Sequence, residues 1–124
     1  MSPWVVTLEA LEPFKIDGPT QEPTVLPYLN FEGSKNYDIQ LEVSIQPENC
    51  KETVVSHSNF KYMYWNMNQQ LAHHTVNGCN MNVGDLMASG TISGKSPDSY
   101  GSMLELSWAG SKPVELLEGG SRKF

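Results

Sequence analysis

Apolar and polar residues alternate through nine positions from Tyr37 to Ile45, and this is the most regular pattern in the chain. Successive side chains of a β-strand point to opposite faces of the sheet, so the alternation places the apolar residues of this stretch on one face. The pattern predicts a half-buried strand that ends before Pro47. The chain is therefore expected to contain a sheet.

Other stretches predict further strands and the turns between them. Short apolar or alternating segments predict strands at Trp4–Val6, Thr53–Val55, Asp85–Thr91 and Met103–Trp108. Residues 113–117 and 122–124, separated by Glu118-Gly119-Gly120, have the pattern of a hairpin whose second strand is cut short. Residues 17–30 and 94–101 are expected to be loops, and residues 7–13 to form one helical turn capped by Thr7.

One amphipathic helix is predicted between a serine cap, at Ser56 or Ser58, and about Thr75. Asn77-Gly78 supplies its stop signal, and its apolar residues recur at helical spacing at Phe60, Met63, Tyr64, Met67 and Leu71. This spacing favours packing against a core over a cofactor site. With one main helix (about 58–75) among several strands, the predicted fold class is α+β, mainly β.

Composition limits the partners that the chain is expected to have. Its 124 residues allow at most one domain, which buries roughly two thirds of its unfolded surface. A net charge of −6 argues against nucleic acid or an anionic membrane as partner. No stretch approaches the ~20 apolar residues of a membrane span, and Met1–Trp4 lacks the pattern of a secretory leader. A cytoplasmic location is expected, with Cys50 and Cys79 as free thiols.

The three histidines do not form a metal or catalytic motif. Adjacent residues on a helix point about a hundred degrees apart, so His73 and His74 are not expected to chelate one ion together. Neither is followed by the ligand or glutamate of a helical zinc motif. A helix C-terminal cation or a hydrogen-bonded surface histidine is the favoured interpretation. His57 has no acid or thiol near it in the sequence.

Two residues in the last third of the chain are candidates for a site. The segment Gly90–Gly94 lacks the spacing of a phosphate loop, but its glycines let backbone approach a ligand while Thr91 offers a hydroxyl. A plain strand-to-loop turn uses the same residues and is favoured. Glu105 lies in the predicted strand Met103–Trp108, either facing solvent or as a carboxylate that orients a catalytic histidine. No upstream histidine in this chain is an evident partner, so both interpretations stay open.

Four blocks of sequence together resemble the fumarylacetoacetase family. They are SPWVV from Ser2, SNFKYMYWNMNQQLAHHTVNGCN from Ser58, GDLMASGTISG from Gly84 and GSMLELSW from Gly101. The blocks follow the family's order, and LPYL and SRKF also match. The resemblance therefore covers nearly the whole chain.

The resemblance implies a hydrolase that cleaves a carbon–carbon bond of 4-fumarylacetoacetate to fumarate and acetoacetate, the last step of tyrosine and phenylalanine catabolism. In the family a divalent cation (calcium and magnesium) holds the diketone oxygens and stabilises the departing enolate, while a histidine made basic by a glutamate activates water. The implied fold is a small SH3-like N-terminal domain followed by a mixed β-sandwich roll, in a cytoplasmic homodimer.

Residue by residue, the resemblance implies that Glu105 is the glutamate that orients the catalytic histidine and that Thr91 hydrogen-bonds the substrate. The family's histidine and its metal ligands lie upstream of the SPWVV block, so no metal ligand is assigned in this chain. Residues 1–124 are expected to be an incomplete, central part of the catalytic domain, without the SH3-like domain and the metal-binding segment, and to be inactive alone. Glu105 is expected to face the active site, opposite a core face that holds Leu104, Leu106 and Trp108.

Two alternatives remain. The chain is a non-catalytic, sheet-rich binding module whose aromatic contact surface consists of Trp4, Tyr62, Tyr64 and Trp65, or it is a related acylpyruvate or β-diketone hydrolase with another substrate. The long block from Ser58 resembles fumarylacetoacetase more closely than those related hydrolases.

Overall fold

The computed structural model describes residues 3–118 and 120–123, which form two compact units. The first unit contains the residues up to Ile39 together with Met63–Ser89, and the second contains Gln40–Tyr62 together with the residues from Gly90 onward. Both units combine short strands with short helices, and the described strands outnumber the described α-helices. The predicted α+β, mainly β class is confirmed.

The regular elements are short. In chain order they are α1 (Leu8–Leu11), β1 (Lys15–Ile16), β2 (Asn36–Tyr37), β3 (Gln40–Ile45), β4 (Thr53–Asn59), α2 (Met67–Val76), α3 (Met103–Leu106), β5 (Val114–Leu116) and β6 (Gly120–Arg122). Single 3₁₀ turns occur at Glu12–Phe14, Pro27–Leu29, Phe60–Tyr62 and Pro97–Ser99. The strands pair antiparallel as β1–β2, β3–β4 and β5–β6.

In the first unit, α2 begins at Met67, so the predicted start near Ser58 was wrong. The N-cap is Asn66, whose Oδ1 accepts the backbone N–H of Gln69 at 3.0 Å, while Oε1 of Gln69 accepts the backbone N–H of Asn66 at 3.2 Å. This reciprocal capping box satisfies N–H groups that the first turn of a helix leaves unpaired. Ser58 instead lies in β4.

A polar residue, rather than the predicted apolar stripe, is the buried part of α2. Gln69 is 2% exposed, and its Nε2 donates to the carbonyl of Leu29 at 3.0 Å and to Oε1 of Gln21 at 2.8 Å. Leu71 is 45% exposed, so the prediction that it faces a core was wrong. The buried apolar residues described in this unit are Leu29 and Tyr37.

The alternating stretch Tyr37–Ile45 contributes residues to two separate antiparallel strand pairs. Tyr37 pairs with Lys15 of β1 in the first unit, whereas Gln40 starts β3, which pairs with β4 in the second unit. The strands are confirmed, but the prediction of one continuous strand was wrong because each half finds a separate partner. The predicted strand at Thr53–Val55 is confirmed and continues to Asn59.

The predicted hairpin near the C-terminus is confirmed by the pairing of β5 with β6. Leu116 is buried, and the backbone N–H of Leu117 donates to Oγ1 of Thr53 at 2.9 Å, which ties the hairpin to β4. Lys51 and Glu118 form an ion pair at 2.7 Å. Gly119 and Phe124, which also belong to the prediction, lie outside the described residues.

Two other predicted strands were wrong. Trp4–Val6 is not in a strand, and the side chains of Trp4 and Val5 are each 86% exposed, so the apolar composition there does not reflect burial in this chain. Asp85–Thr91 is also irregular. Gly84 and Gly90 have φ angles of +99° and +77°, a left-handed conformation that interrupts a strand.

Three of the remaining local predictions agree with the structure: α1 follows Thr7, α2 ends immediately before Asn77-Gly78, and each predicted loop contains only a 3₁₀ turn. The predicted capping by Thr7 was wrong in one respect, because its side chain makes no capping hydrogen bond to α1. Cys50 and Cys79 are free thiols. None of the helices in the described part of the chain is long and apolar enough to cross a membrane.

Candidate functional site

Glu105 lies on a helix, so the predicted strand at Met103–Trp108 was wrong. Residues 103–106 form α3, with Ser102 as N-cap, whose Oγ accepts the backbone N–H of Glu105 at 3.2 Å. Leu104 and Trp108 are 69% and 65% exposed, so they do not share the predicted core face. The sequence Ser-Met-Leu-Glu fits the S-x-x-E signature of a helix start, and this signal could have identified α3.

The Glu105 carboxylate is held by two serine hydroxyls. Oγ of Ser93 donates to both carboxylate oxygens, at 2.9 Å to Oε1 and 2.8 Å to Oε2. Oγ of Ser102 donates to Oε2 at 2.8 Å. Glu105 as a whole is half-buried. Neither serine was identified from the sequence as part of the site.

These hydrogen bonds lower the pKa of Glu105 below its ordinary value of 4.5. The hydroxyl of Ser93 has the largest effect and that of Ser102 the next, while desolvation acts in the opposite direction and the backbone N–H groups of Ser102 and Gly101 contribute less. A hydrogen bond to the charged form favours that form, so the carboxylate is ionised at neutral pH. The ion pairs found among residues 3–118 and 120–123 do not include Glu105.

The segment that carries Thr91 is fixed close to Glu105. Oγ of Ser58 in β4 donates to the carbonyl of Ile92 at 2.7 Å, and the backbone N–H of Gly101 donates to Oγ of Ser93 at 2.9 Å. A Cβ on Gly101 would lie 2.5 Å from the carbonyl oxygen of Ile92, so only glycine permits this approach of two backbones. Thr91 is exposed, two residues before the serine that holds Glu105.

His73 and His57 each contact a residue other than Glu105. In the first unit, Nδ1 of His73 is hydrogen-bonded to the hydroxyl of Tyr28 at 3.0 Å, in agreement with a hydrogen-bonded surface histidine. In the second, Nδ1 of His57 lies 3.5 Å from Oε2 of Glu42, and both side chains are exposed. The sequence did not suggest this acid because the two residues are cross-strand neighbours in β3 and β4.

The first unit also contains an apolar cleft of about 730 Å³. Tyr64 and Trp65 line it, with their rings edge to face at 4.9 Å, and so do Val25 and Leu26. The hydroxyl of Tyr64 is already bonded to the backbone of Glu22, as acceptor at 2.9 Å and as donor at 3.1 Å. The aromatic contact surface of the binding-module alternative stays a prediction.

Comparison with known proteins finds that this chain is similar to several fumarylacetoacetases. The chain is 62% identical to a fumarylacetoacetase from Dictyostelium discoideum over 117 residues, which cover 94% of this chain and 27% of that protein. It is 54% identical to a Homo sapiens fumarylacetoacetase over 125 residues, covering 100% of this chain and 30% of that protein. An Arabidopsis thaliana fumarylacetoacetase is 56% identical over 117 residues, covering 94% and 28%.

This chain spans less than a third of the length of each of these relatives. The profile of the family described as fumarylacetoacetate (FAA) hydrolase C-terminal matches residues 1–122. Because the match extends over almost all of its residues, the chain belongs to the fumarylacetoacetate (FAA) hydrolase C-terminal family.

Proposed function

We propose that this chain takes part in the hydrolysis of 4-fumarylacetoacetate to fumarate and acetoacetate, as the central part of a fumarylacetoacetase-type catalytic domain. The observation that carries this proposal is the 50–62% identity to proteins named fumarylacetoacetase. Their names favour fumarylacetoacetate over an acylpyruvate as the substrate. The last step of tyrosine and phenylalanine catabolism is the corresponding pathway position.

In the proposed reaction, water adds to a ketone carbon of the diketone, the adjacent carbon–carbon bond breaks, and the departing carbon takes up a proton. A histidine that lies outside this chain takes the proton from water. Glu105 accepts a hydrogen bond from that imidazole and compensates its positive charge, without itself becoming protonated. A half-buried, ionised carboxylate with a lowered pKa suits this role, because its charge persists through the reaction.

Calcium and magnesium are proposed as ions of the complete enzyme, bound by residues outside this chain. Within the described ranges, no three His, Cys, Asp or Glu side chains lie close enough together to hold a metal ion. The described residues therefore do not fit a metal site, and we assign them no step that involves one. We also propose a cytoplasmic homodimer as the complete enzyme, with neither nucleic acid nor membrane as partner.

A chimaera tests the proposed function. In this protein, named the chimaera below, the chain replaces the matching segment of the Dictyostelium discoideum relative. We expect the chimaera to hydrolyse 4-fumarylacetoacetate, and the isolated 124-residue chain to show no turnover because the proposed histidine and metal ligands are outside it. Loss of the diketone absorbance measures the rate. A folded but inactive chimaera would contradict the proposal and favour the binding-module alternative, and turnover by the isolated chain would contradict the proposed division of the site.

Replacing Thr91 tests its proposed contact with substrate. In the chimaera, Thr91→Val removes the hydroxyl and should raise KM roughly fivefold while changing kcat little, as expected when one neutral hydrogen bond is lost. Thr91→Ser retains the hydroxyl and is the matched control, which should keep KM near that of the chimaera. Equal KM values for the valine and serine variants would show that the hydroxyl of Thr91 does not contribute to substrate binding.

A further inference from the structure

We infer that Ser93 is a positioning residue of this site, whose hydroxyl orients the Glu105 carboxylate and joins it to the segment that carries Thr91. This inference rests on the proposed function, because it takes Glu105 as the carboxylate that serves the reaction. The resemblance to the family assigned roles to Thr91 and Glu105 alone. The role of Ser93 is inferred instead from its hydrogen bonds in the folded chain.

The hydroxyl of Ser93 is itself oriented. Its oxygen accepts the backbone N–H of Gly101 at 2.9 Å, so its own hydrogen is available for Glu105. Oγ of Ser93 lies at nearly equal distances from the two carboxylate oxygens of Glu105, 2.9 Å from Oε1 and 2.8 Å from Oε2. The terminal torsion of a glutamate is soft, and a donor shared between both oxygens restricts rotation of the carboxylate plane. Ser93 therefore sets the orientation of the carboxylate plane of Glu105.

The hydroxyl of Ser102, which also donates to Glu105, has a different role from that of Ser93. Ser102 is the N-cap of α3, three residues before Glu105, and it moves together with that helix. Ser93 is twelve residues away in the chain, on a segment that Ser58 of β4 anchors through the carbonyl of Ile92. Ser102 is thus a local cap, whereas Ser93 is the tertiary link between α3 and the segment of Thr91.

Loss of the Ser93 hydroxyl has a defined electrostatic consequence. It is the largest of the effects that lower the pKa of Glu105, so Ser93→Ala should raise that pKa towards the ordinary value of 4.5. Glu105 supports catalysis in its ionised form, and activity falls as the pH drops through its pKa. The acid limb of kcat/KM should therefore move to higher pH in Ser93→Ala.

Carboxyl NMR titration measures the pKa of Glu105 in the 124-residue chain. The glutamates are labelled with ¹³C, and the Glu105 signal is assigned by its absence in Glu105→Gln. We expect a higher pKa of Glu105 in Ser93→Ala than in the unmodified chain, and a restored low pKa in Ser93→Thr, which keeps a hydroxyl. Ser111→Ala removes an exposed hydroxyl that donates only to the carbonyl of Trp108, and it should leave the pKa unchanged. Equal pKa values in the unmodified chain and Ser93→Ala would overturn the inference.

The pH–rate profile of the chimaera gives the second measurement, which does not depend on folding of the isolated chain. Ser93→Ala should lower kcat roughly tenfold, the size expected for the loss of one hydrogen bond to a charged group, and shift the acid limb upward. Ser93→Thr should restore both. If Glu105→Gln is inactive but Ser93→Ala has an unchanged rate and acid limb, the inference fails while the proposed function stands. If Glu105→Gln is fully active, the proposed role of Glu105 fails instead.

Discussion

Glu105→Gln in the chimaera is expected to lower kcat for 4-fumarylacetoacetate by roughly 10²- to 10⁴-fold, the usual contribution of general acid–base assistance. The amide has nearly the same shape as the carboxylate, and its oxygen can still accept the hydroxyl hydrogens of Ser93 and Ser102. The substitution therefore removes the negative charge, and an amide oxygen in the place of Oε2 keeps one hydrogen bond from each serine, while the bond from Ser93 to the other oxygen is lost. Without that charge, the protonated histidine of the proposed mechanism lacks its compensating partner.

Glu115→Gln is the matched control for this experiment. Glu115 is an exposed residue of β5 in the same unit, so the control removes one negative charge away from the site and should leave kcat unchanged. Steady-state rates are compared in proteins with equal secondary-structure content by circular dichroism. A Glu105→Gln variant as fast as the chimaera would show that the charge of Glu105 has no part in the reaction.

Gly101→Ala should have the second-largest effect. The added Cβ would meet the oxygen, carbon and nitrogen of Ile92 at 2.5, 2.8 and 2.9 Å, and these are backbone atoms rather than the end of a flexible side chain. The two backbones must separate, at a cost typical of overpacking, about 1–3 kcal/mol. Because the N–H of Gly101 also orients the Ser93 hydroxyl, this separation should disrupt the hydrogen bond from Ser93 to the charged Glu105, and kcat should fall roughly tenfold.

Gly33→Ala provides the comparison for Gly101→Ala. No atom lies within 4 Å of a Cβ built on Gly33, but its φ of +71° is left-handed, so alanine there introduces conformational strain without a clash. We expect a loss of stability of about 1 kcal/mol and an unchanged kcat. Residual activity after heating measures stability, and initial rates measure kcat. If Gly101→Ala retains the kcat of the chimaera, the close approach to Ile92 is not required for the site.

Local sequence patterns predicted those elements whose partners are close in the chain. The C-terminal hairpin and the end of α2 at Asn77-Gly78 are both coded within a few residues. α2 begins at the capping box Asn66-Met-Asn-Gln69, whereas the apolar spacing that continues upstream of it predicts an earlier start. Of that upstream stretch, Ser58 and Asn59 belong to β4, which pairs with β3, and Phe60–Tyr62 form a 3₁₀ turn.

Local pattern made Glu105 and Thr91 ambiguous candidates, the resemblance to the family assigned their roles, and those roles remain predictions. The residues around them could not be identified from spacing, since Ser93 lies twelve residues from Glu105 and Ser58 thirty-four residues from Ile92. The pairing of Glu42 with His57 follows in the same way from the register of β3 and β4. Each of these contacts depends on which segments become neighbours.

Four ordered blocks of residues were sufficient to indicate the family, and turn and cap residues were sufficient to place the hairpin and one helix end. The spacing of Ser102 and Glu105 is a local signal for a helix start, but only the three-dimensional arrangement decided that the carboxylate of Glu105 is also held by Ser93. A four-residue helix has too little propensity to form alone, so α3 depends on tertiary hydrogen bonds such as those from Ser93. Those bonds join residues that become neighbours only when the chain folds.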